Sequence, residues 1–112
     1  MISYPISQLF PAPMGRYVAI PHDWYGVTIV DIVNCRTMPL DQTMEKNLRF
    51  GQFNFGGWHP DGRHFLLFNR DATGIWLVDV EGKEPSHQLS EHAADSVAIS
   101  PDGQRLIFAE QP

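Results

Sequence analysis

The sequence has one cysteine, few basic residues and no long apolar run, and each shortage excludes a class of protein. Cys35 has no second cysteine with which to form an intrachain disulfide. The eight lysines and arginines are scattered and the net charge is −5, so the clustered cations that bind nucleic acid are missing. No stretch approaches the ~20 apolar residues that cross a membrane. We therefore expect no nucleic-acid partner and no membrane insertion.

Targeting features are also scarce at the start of the sequence. MISYPISQLFPAPMG has neither a basic beginning nor a long apolar stretch, so it predicts no signal peptide, and the expected location is the cytoplasm. The 112 residues, 43% of them hydrophobic and 12% aromatic, have the composition of one small globular domain with a modest core.

Catalytic signatures are missing as well. The sequence contains no G-x-S-x-G elbow, and Gly56-Gly57 lacks the lysine of a phosphate-binding loop. Close backbone approach in a crowded strand explains this glycine pair better. Cys35 follows a predicted strand without a flanking catalytic motif, so we expect a partly buried thiol. The prediction is no enzymatic activity and no cofactor.

Metal-binding patterns are incomplete. His59 and His64 have the same spacing as His87 and His92, but a metal site needs three or four converging ligands. Because His59 and His64 flank a turn, we expect exposed turn residues. Asp79 opens a short acidic run that lacks the ligand set of a calcium loop. The prediction is that Asp79 bonds turn amides, with no metal bound.

What the sequence does contain is an internal repeat. WHPDGRHFLLF, from Trp58 to Phe68, returns as ISPDGQRLIFA, and PAPMGRYVAI forms a weaker third copy around Gly15. A second block, GVTIVDI, returns as GIWLVDV at nearly the same offset. Three columns after the repeated glycine share apolar character: Val18, Phe65 and Leu106; Ala19, Leu66 and Ile107; Ile20, Leu67 and Phe108.

The repeated blocks are typical of strands joined by tight turns. Proline, aspartate and glycine are turn residues, and the predicted turn positions are Asp61, Gly62, Asp102 and Gly103, with Asp79 and Asp31 closing the second block. The apolar runs predict strands at 52–58, 64–70, 74–80 and 86–90, then at 96–100 and 105–110. The best helical candidate, 41–48, is short and predicts a loop or one turn. The predicted class is all-β.

The run WHPDGRHFLLF…GIWLVDVEGKEPSHQLS, followed by SVAISPDGQRLIFA, resembles the TolB-type, WD-like β-propeller repeat. The likeness is clear over about residues 50–112 and loose over 9–40. It departs from the pattern at Val78-Asp79, where WD repeats have Trp-Asp, and in the first copy, which lacks Pro-Asp. The resemblance implies four-stranded antiparallel blades of an incomplete propeller, in one domain of residues 1–112. Blade 1 spans about 5–48, blade 2 about 50–91 and a half blade about 94–112.

An incomplete propeller has uncovered apolar faces, because each repeat buries its face against a neighbour and closure takes typically four to eight blades. The chain is then a piece of a longer propeller, or copies of it complete a ring, or it folds as a small open sheet with its own cap. Aromatic residues are predicted to fill the space between blades: Phe50, Phe53, Phe55, Trp58, Phe65 and Trp76.

The resemblance, with the missing catalytic groups, predicts a non-catalytic module that acts as a protein–protein interaction scaffold. Its partner would be another protein or further copies that complete the propeller. Trp24 and Tyr25, beside His22, lie in a predicted connecting loop and are the candidate binding residues. One alternative is a fragment of the propeller domain of a prolyl-oligopeptidase-like hydrolase, with the catalytic residues outside this chain. Another is an oligomeric propeller that binds a small ligand or glycan in its channel.

Overall fold

The structure, a computed structural model, describes residues 8–22, 26–38, 53–69 and 74–110, which form three antiparallel β-sheets. Sheet 1 contains β1 (Phe10–Pro11), β2 (Tyr17–Pro21), β3 (Val27–Asp31) and β4 (Arg36–Thr37). Sheet 2 contains β5 (Asn54–Trp58), β6 (His64–Phe68), β7 (Ile75–Asp79) and β8 (His87–Ser90). Sheet 3 contains β9 (Ser96–Ile99) and β10 (Leu106–Ala109).

Each strand pairs with the next strand along the chain, so sheets 1 and 2 are four-stranded meanders. The predicted all-β class with antiparallel four-stranded sheets is confirmed, and β5 to β10 begin and end within about two residues of the predicted strands. None of the described sheets closes on itself, so the propeller stays a prediction. The predicted loop or turn at 41–48 lies outside the described residues. The described part of the chain has no helix of the length and apolarity that a bilayer crossing requires.

The three copies of the glycine turn share the conformation of the glycine and one backbone hydrogen bond. The φ angles of Gly15, Gly62 and Gly103 are 73°, 74° and 75°, in the left-handed region that favours glycine. In each copy the glycine N–H donates to the carbonyl three residues earlier, and these acceptors belong to Ala12, His59 and Ser100. The first copy, which lacks Pro-Asp, differs at the residue before the glycine: Met14 has a φ of 76°, whereas Asp61 and Asp102 do not have a positive φ.

The aspartates of the turns hold the backbone that follows them. Asp61 Oδ1 accepts bonds from the N–H groups of Arg63 (2.8 Å) and His64 (2.9 Å). Asp102 Oδ1 accepts one from the N–H of Gln104 (3.0 Å). These bonds are the local side-chain turns expected of Asp in this position.

Sheets 1 and 2 pack face to face through one buried cluster. Trp76 and Phe65 of sheet 2 lie in it with Tyr17 and Ala19 of sheet 1. The predicted aromatic packing is confirmed for Trp76, Phe65 and Phe53, which are buried, and for Phe55 and Trp58, which are half-buried against the same cluster; Phe50 lies outside the described residues.

Sheet 3 packs on the opposite face of sheet 2. Its half-buried residues Val97 and Phe108 contact the buried Leu66 and Ile75 of sheet 2. A Cβ at Gly56 would overlap the Val97 side chain and touch Leu66 Cβ, so the close approach predicted for the glycine pair is confirmed at Gly56. It is wrong for Gly57, where a Cβ would meet nothing within 4 Å and a φ of 114° accounts for the glycine. Sheet 2 is therefore the middle of a three-sheet stack.

The expectation for Cys35 is wrong. Its side chain is exposed, in the turn between β3 and β4. Cys35 has a φ of 54°, in the left-handed region that few non-glycine residues adopt, and its Sγ lies 3.9 Å from the carbonyl oxygen of Ile32 in the same turn.

The Gly103 turn gives a test of the repeat. We expect Gly103→Val to destabilise the fold by about 1–3 kcal/mol, because valine disfavours the left-handed conformation. A Cβ there would also meet the His59 ring, with Nε2 at 2.7 Å. The control is Gly15→Val, which has the same φ but open space around it and should cost less. Urea unfolding measures both, and an unchanged midpoint for Gly103→Val would contradict the turn assignment.

Candidate functional site

The predicted binding loop is described only at its edge. Trp24 and Tyr25 lie outside the described residues. His22 is exposed, and its Nε2 lies 2.8 Å from Thr28 Oγ1, while its backbone N–H donates to the carbonyl of Gly26. These bonds fix the start of the loop against β3, and a binding role for Trp24 and Tyr25 stays a prediction.

Among the described aspartates that were predicted to close turns, Asp79 accepts the most hydrogen bonds. It is buried and accepts bonds from the backbone N–H groups of Glu81, Lys83 and Glu84 at 2.9–3.1 Å. Arg63 Nε and Nη2 approach its two carboxylate oxygens at 2.8 and 2.6 Å. Burial opposes ionisation, but these donors outweigh it and hold the pKa of Asp79 well below its usual range.

Sheet 1 repeats this ion pair in a weaker form. Asp31 accepts from the N–H groups of Val33 and Asn34 and from the Asn34 amide, and Arg16 Nη2 lies 3.3 Å from its carboxylate. The Asn34 side-chain bond is the main cause that lowers the pKa of Asp31 to about 2. Neither Arg16 nor Arg63 was predicted as a partner of these aspartates. Their position directly after the repeated glycine was the available signal, and the third copy has Gln104 there.

His64 bridges two turns of sheet 2. Its Nδ1 lies 2.6 Å from Asp61 Oδ2, and its Nε2 lies 2.6 Å from Glu84 Oε2. Burial lowers the pKa of His64, but the bonds to Glu84 and Asp61 outweigh it, so its pKa is raised. The expectation that His59 and His64 are exposed is wrong, since both are half-buried where the turns pack together.

The cluster of His64, Asp79 and Glu84 contains residue types that can bind a metal ion, but the Asp79 oxygens already accept hydrogen bonds. Ligand atoms of His64, Asp79 and Glu84 lie within 4.8 Å of one another. Both carboxylate oxygens of Asp79 already accept from Arg63 and from backbone amides, so a cation would compete with those donors. The arrangement works as an ion-pair network that ties the turns of sheet 2 together.

A cleft opens where the first strands of the three sheets meet. Its volume is about 420 Å³, and its walls include Phe10 of β1, Phe55 of β5 and Val97 of β9. Ser96 and the backbone of the glycine pair supply polar groups at the rim.

The outer face of sheet 3 is the candidate functional site. Ser96, Ala98, Ile107 and Ala109 point away from sheet 2, all four are exposed, and we call them the third-sheet face. Ile107 is equivalent to Ala19 and Leu66 in the alignment of the three repeats, and its exposure differs from theirs. Ala19 and Leu66 are 0% exposed in sheets 1 and 2, because each faces the next sheet, whereas Ile107 is 71% exposed.

Alignment of the repeats placed Ala19, Leu66 and Ile107 at equivalent positions, but Ile107 was not predicted as a site residue. The signal was present, because a column that is apolar in every copy of a repeat marks a packing surface. Recognising it as uncovered required the stacking direction, which only the sheet-to-sheet contacts give. Comparison with protein-family models, curated proteins and solved structures finds no match to this chain.

Proposed function

We propose that the chain is a non-catalytic β-repeat module of the propeller type that works as a protein–protein interaction scaffold, with the third-sheet face as its docking surface. The observation that carries the proposal is the exposed Ile107, in a column whose other members are fully buried against a following sheet. A single exposed apolar residue is ordinary on a protein surface. Ile107 is singled out because the equivalent residues of the other two copies, Ala19 and Leu66, are fully buried against a following sheet.

The internal contacts indicate how a partner docks. Ala19 of sheet 1 packs in the cluster shared with sheet 2, and Leu66 of sheet 2 packs in the cluster shared with sheet 3. A partner that covers Ile107 continues the same stack, so its own contacting face should be a sheet with apolar residues like those of β9 and β10. Ala98 and Ala109 leave room for larger side chains from that partner.

Site-specific photo-crosslinking tests this proposal. A benzophenone amino acid replaces Ile107 in the full chain, in the cells that make it, and we expect one discrete crosslinked species. The matched control replaces Val33, which is 68% exposed on a turn of sheet 1, and should give none. Equal crosslinking at both positions, or none at position 107, would overturn the proposal.

The other functions draw on different features. A channel ligand would use the 420 Å³ cleft, whose mainly aromatic and aliphatic walls suit a small apolar molecule. A fragment of a prolyl-oligopeptidase-like propeller would depend on catalytic groups supplied from outside this chain. In both cases a further blade, from the rest of a longer protein or from another copy, would cover Ile107. Its exposure therefore does not separate these functions from the interaction scaffold, whereas the identity of the species crosslinked at position 107 does.

A further inference from the structure

The ring of His64 lies between two carboxylates that belong to different segments of sheet 2. Asp61, in the turn between β5 and β6, faces the ring Nδ1 at 2.6 Å. Glu84, in the loop between β7 and β8, faces the ring Nε2 at 2.6 Å and is 20 residues away in the sequence. The His64 side chain is 15% exposed, and those of Asp61 and Glu84 are 38% and 48% exposed. The ring therefore connects the two segments, with Glu84 as the more exposed partner.

This geometry determines the protonation state of the ring. An ionised carboxylate only accepts hydrogen bonds, whereas a neutral imidazole has one N–H group and one lone pair. A neutral His64 would donate to one carboxylate and direct a lone pair at an oxygen of the other. The imidazolium form donates to both, and bonds between charged groups are short and strong. Two contacts of 2.6 Å with ionised carboxylates therefore require the doubly protonated ring.

The other charges around the ring are compatible with this form. Asp79 is a third carboxylate whose charge favours the protonated ring, and it is paired with Arg63. The ring centroid of His59 lies 6.1 Å from that of His64, and its Nδ1 accepts the Asp61 N–H, so that nitrogen carries no proton. The ionisable residues of the turn, of the loop and of the adjoining end of β7 are His59, Asp61, Arg63, Asp79, Glu81, Lys83 and Glu84.

We propose that His64 is a pH-sensitive clasp that joins the β5–β6 turn to the β7–β8 loop. The doubly protonated ring holds both segments, and loss of the Nε2 proton to water releases Glu84. The neutral ring keeps Asp61, because this residue is three positions away and its carboxylate is fixed by the N–H groups of Arg63 and His64. The clasp lies within sheet 2 and goes beyond the proposed function, which concerns the third-sheet face.

The direction of the pH effect follows from the same contacts. Burial lowers the pKa of His64, but the bonds to Glu84 and Asp61 outweigh it, so the folded-state pKa is raised above the unfolded value, near 6.5. The clasp therefore stabilises the fold fully below about pH 6.5, and this contribution is lost as pH rises through the folded-state pKa. Asp79 acts in the opposite sense, since its contribution is lost in acid.

NMR of the two ring nitrogens in the full chain tests the protonation state. A pH series from about 5 to 9 contains EDTA, so that no divalent ion competes for the ring. We expect both nitrogens to be protonated below the midpoint, Nε2 to lose its proton first, and the midpoint to lie above about 6.5. Glu84→Gln should lower the midpoint, because glutamine keeps an accepting oxygen but removes the charge.

The matched control is Glu91→Gln, the same chemical change at an exposed residue that follows β8. It should leave the midpoint of His64 unchanged. Glu84 and Glu91 are both exposed, so we expect both variants to fold, and circular dichroism checks this.

Solvent exchange of backbone N–H groups measures release of the loop. The Glu84 N–H donates to Asp79 Oδ2 at 3.1 Å, so its exchange rate reports on the β7–β8 loop. Above the midpoint it should exchange about fivefold faster, after correction for the intrinsic effect of pH, which is the factor expected for loss of one hydrogen bond. The Gly103 N–H, which donates to the Ser100 carbonyl in sheet 3, should keep its corrected rate and is the internal control.

Three results would overturn the clasp. They are a His64 midpoint at or below about 6.5, a midpoint that Glu84→Gln leaves unchanged, and exchange at Glu84 that changes no more than exchange at Gly103. Each of these measurements concerns sheet 2, whereas the proposed function is tested by crosslinking at position 107 of sheet 3. Failure of one is therefore distinguishable from failure of the other.

Discussion

Replacing Asp79 with alanine should destabilise the protein by roughly 2–4 kcal/mol. The substitution removes an acceptor shared by three backbone N–H groups and by the Arg63 guanidinium, and the carboxylate sits in a buried position at the end of β7. The carboxylate is fully buried, whereas its donors lie on half-buried and exposed residues, so water replaces the lost bonds only in part. Chemical denaturation followed by circular dichroism measures the change.

Asp79→Asn is the matched control. Asparagine keeps the size of the side chain and one acceptor oxygen for the turn amides, but it removes the charge that pairs with Arg63. We expect the free energy of unfolding of Asp79→Asn to lie between that of the natural chain and that of Asp79→Ala. A stability for Asp79→Ala within about 0.5 kcal/mol of the natural chain, the usual range for surface substitutions, would contradict the network.

The same residue predicts the response to acid. The folded-state pKa of Asp79 is lowered below the unfolded value, so its contribution is fully present above the unfolded pKa, near 3.9, and is lost as pH falls towards the folded value. The natural chain should therefore lose stability below about pH 4 more steeply than Asp79→Asn does. Parallel pH series on the two proteins measure this difference.

The fold was predictable because its signals are local. Turn chemistry places Gly62 and Gly103, and short apolar runs between turns place the strands, so the bounds of β5 to β10 followed from the sequence. The ion pair between Arg63 and Asp79 was missed because the charges are distant along the chain and meet only when β6 and β7 pair. Repeat alignment would have found it through the equivalent Arg16 and Asp31.

The candidate site was less predictable than the fold. The sequence drew attention to Trp24 and Tyr25 because large aromatics in a loop are conspicuous, whereas Ile107 looks like any core residue of a strand. Its exposure depends on which face of sheet 3 meets sheet 2, and alternation along a strand does not distinguish the two faces when both are apolar. The half-buried positions of His59 and His64 were missed because both depend on contacts distant in sequence. His64 lies between Asp61 and Glu84 once β6 and β7 have paired, and His59 lies against the Gly103 turn once sheet 3 has stacked on sheet 2.

The stacking of the sheets predicts that Trp76→Ala costs about 3–5 kcal/mol, the range for removing a large buried aromatic side chain. Trp76 is buried where sheet 2 meets sheet 1, among Tyr17, Ala19 and Ile29. This loss approaches the total free energy of unfolding of a small domain. We therefore expect the variant to unfold at a low denaturant concentration, or to be unfolded at room temperature without denaturant. Trp76→Phe keeps most of the apolar volume and should cost less, which keeps the test informative if the alanine variant does not fold.

Val33→Ala is the control for this prediction, because Val33 is exposed and its change should stay within about 0.5 kcal/mol. The expected order, from the most to the least stable protein, is the natural chain, Val33→Ala, Trp76→Phe and Trp76→Ala. A Trp76→Ala variant that unfolds at the same denaturant concentration as Val33→Ala would mean that sheets 1 and 2 do not share a core. The repeat would then be a series of separate hairpins, and the exposed Ile107 would no longer indicate a missing neighbour, since burial of Ala19 and Leu66 against a following sheet is what gives its exposure meaning.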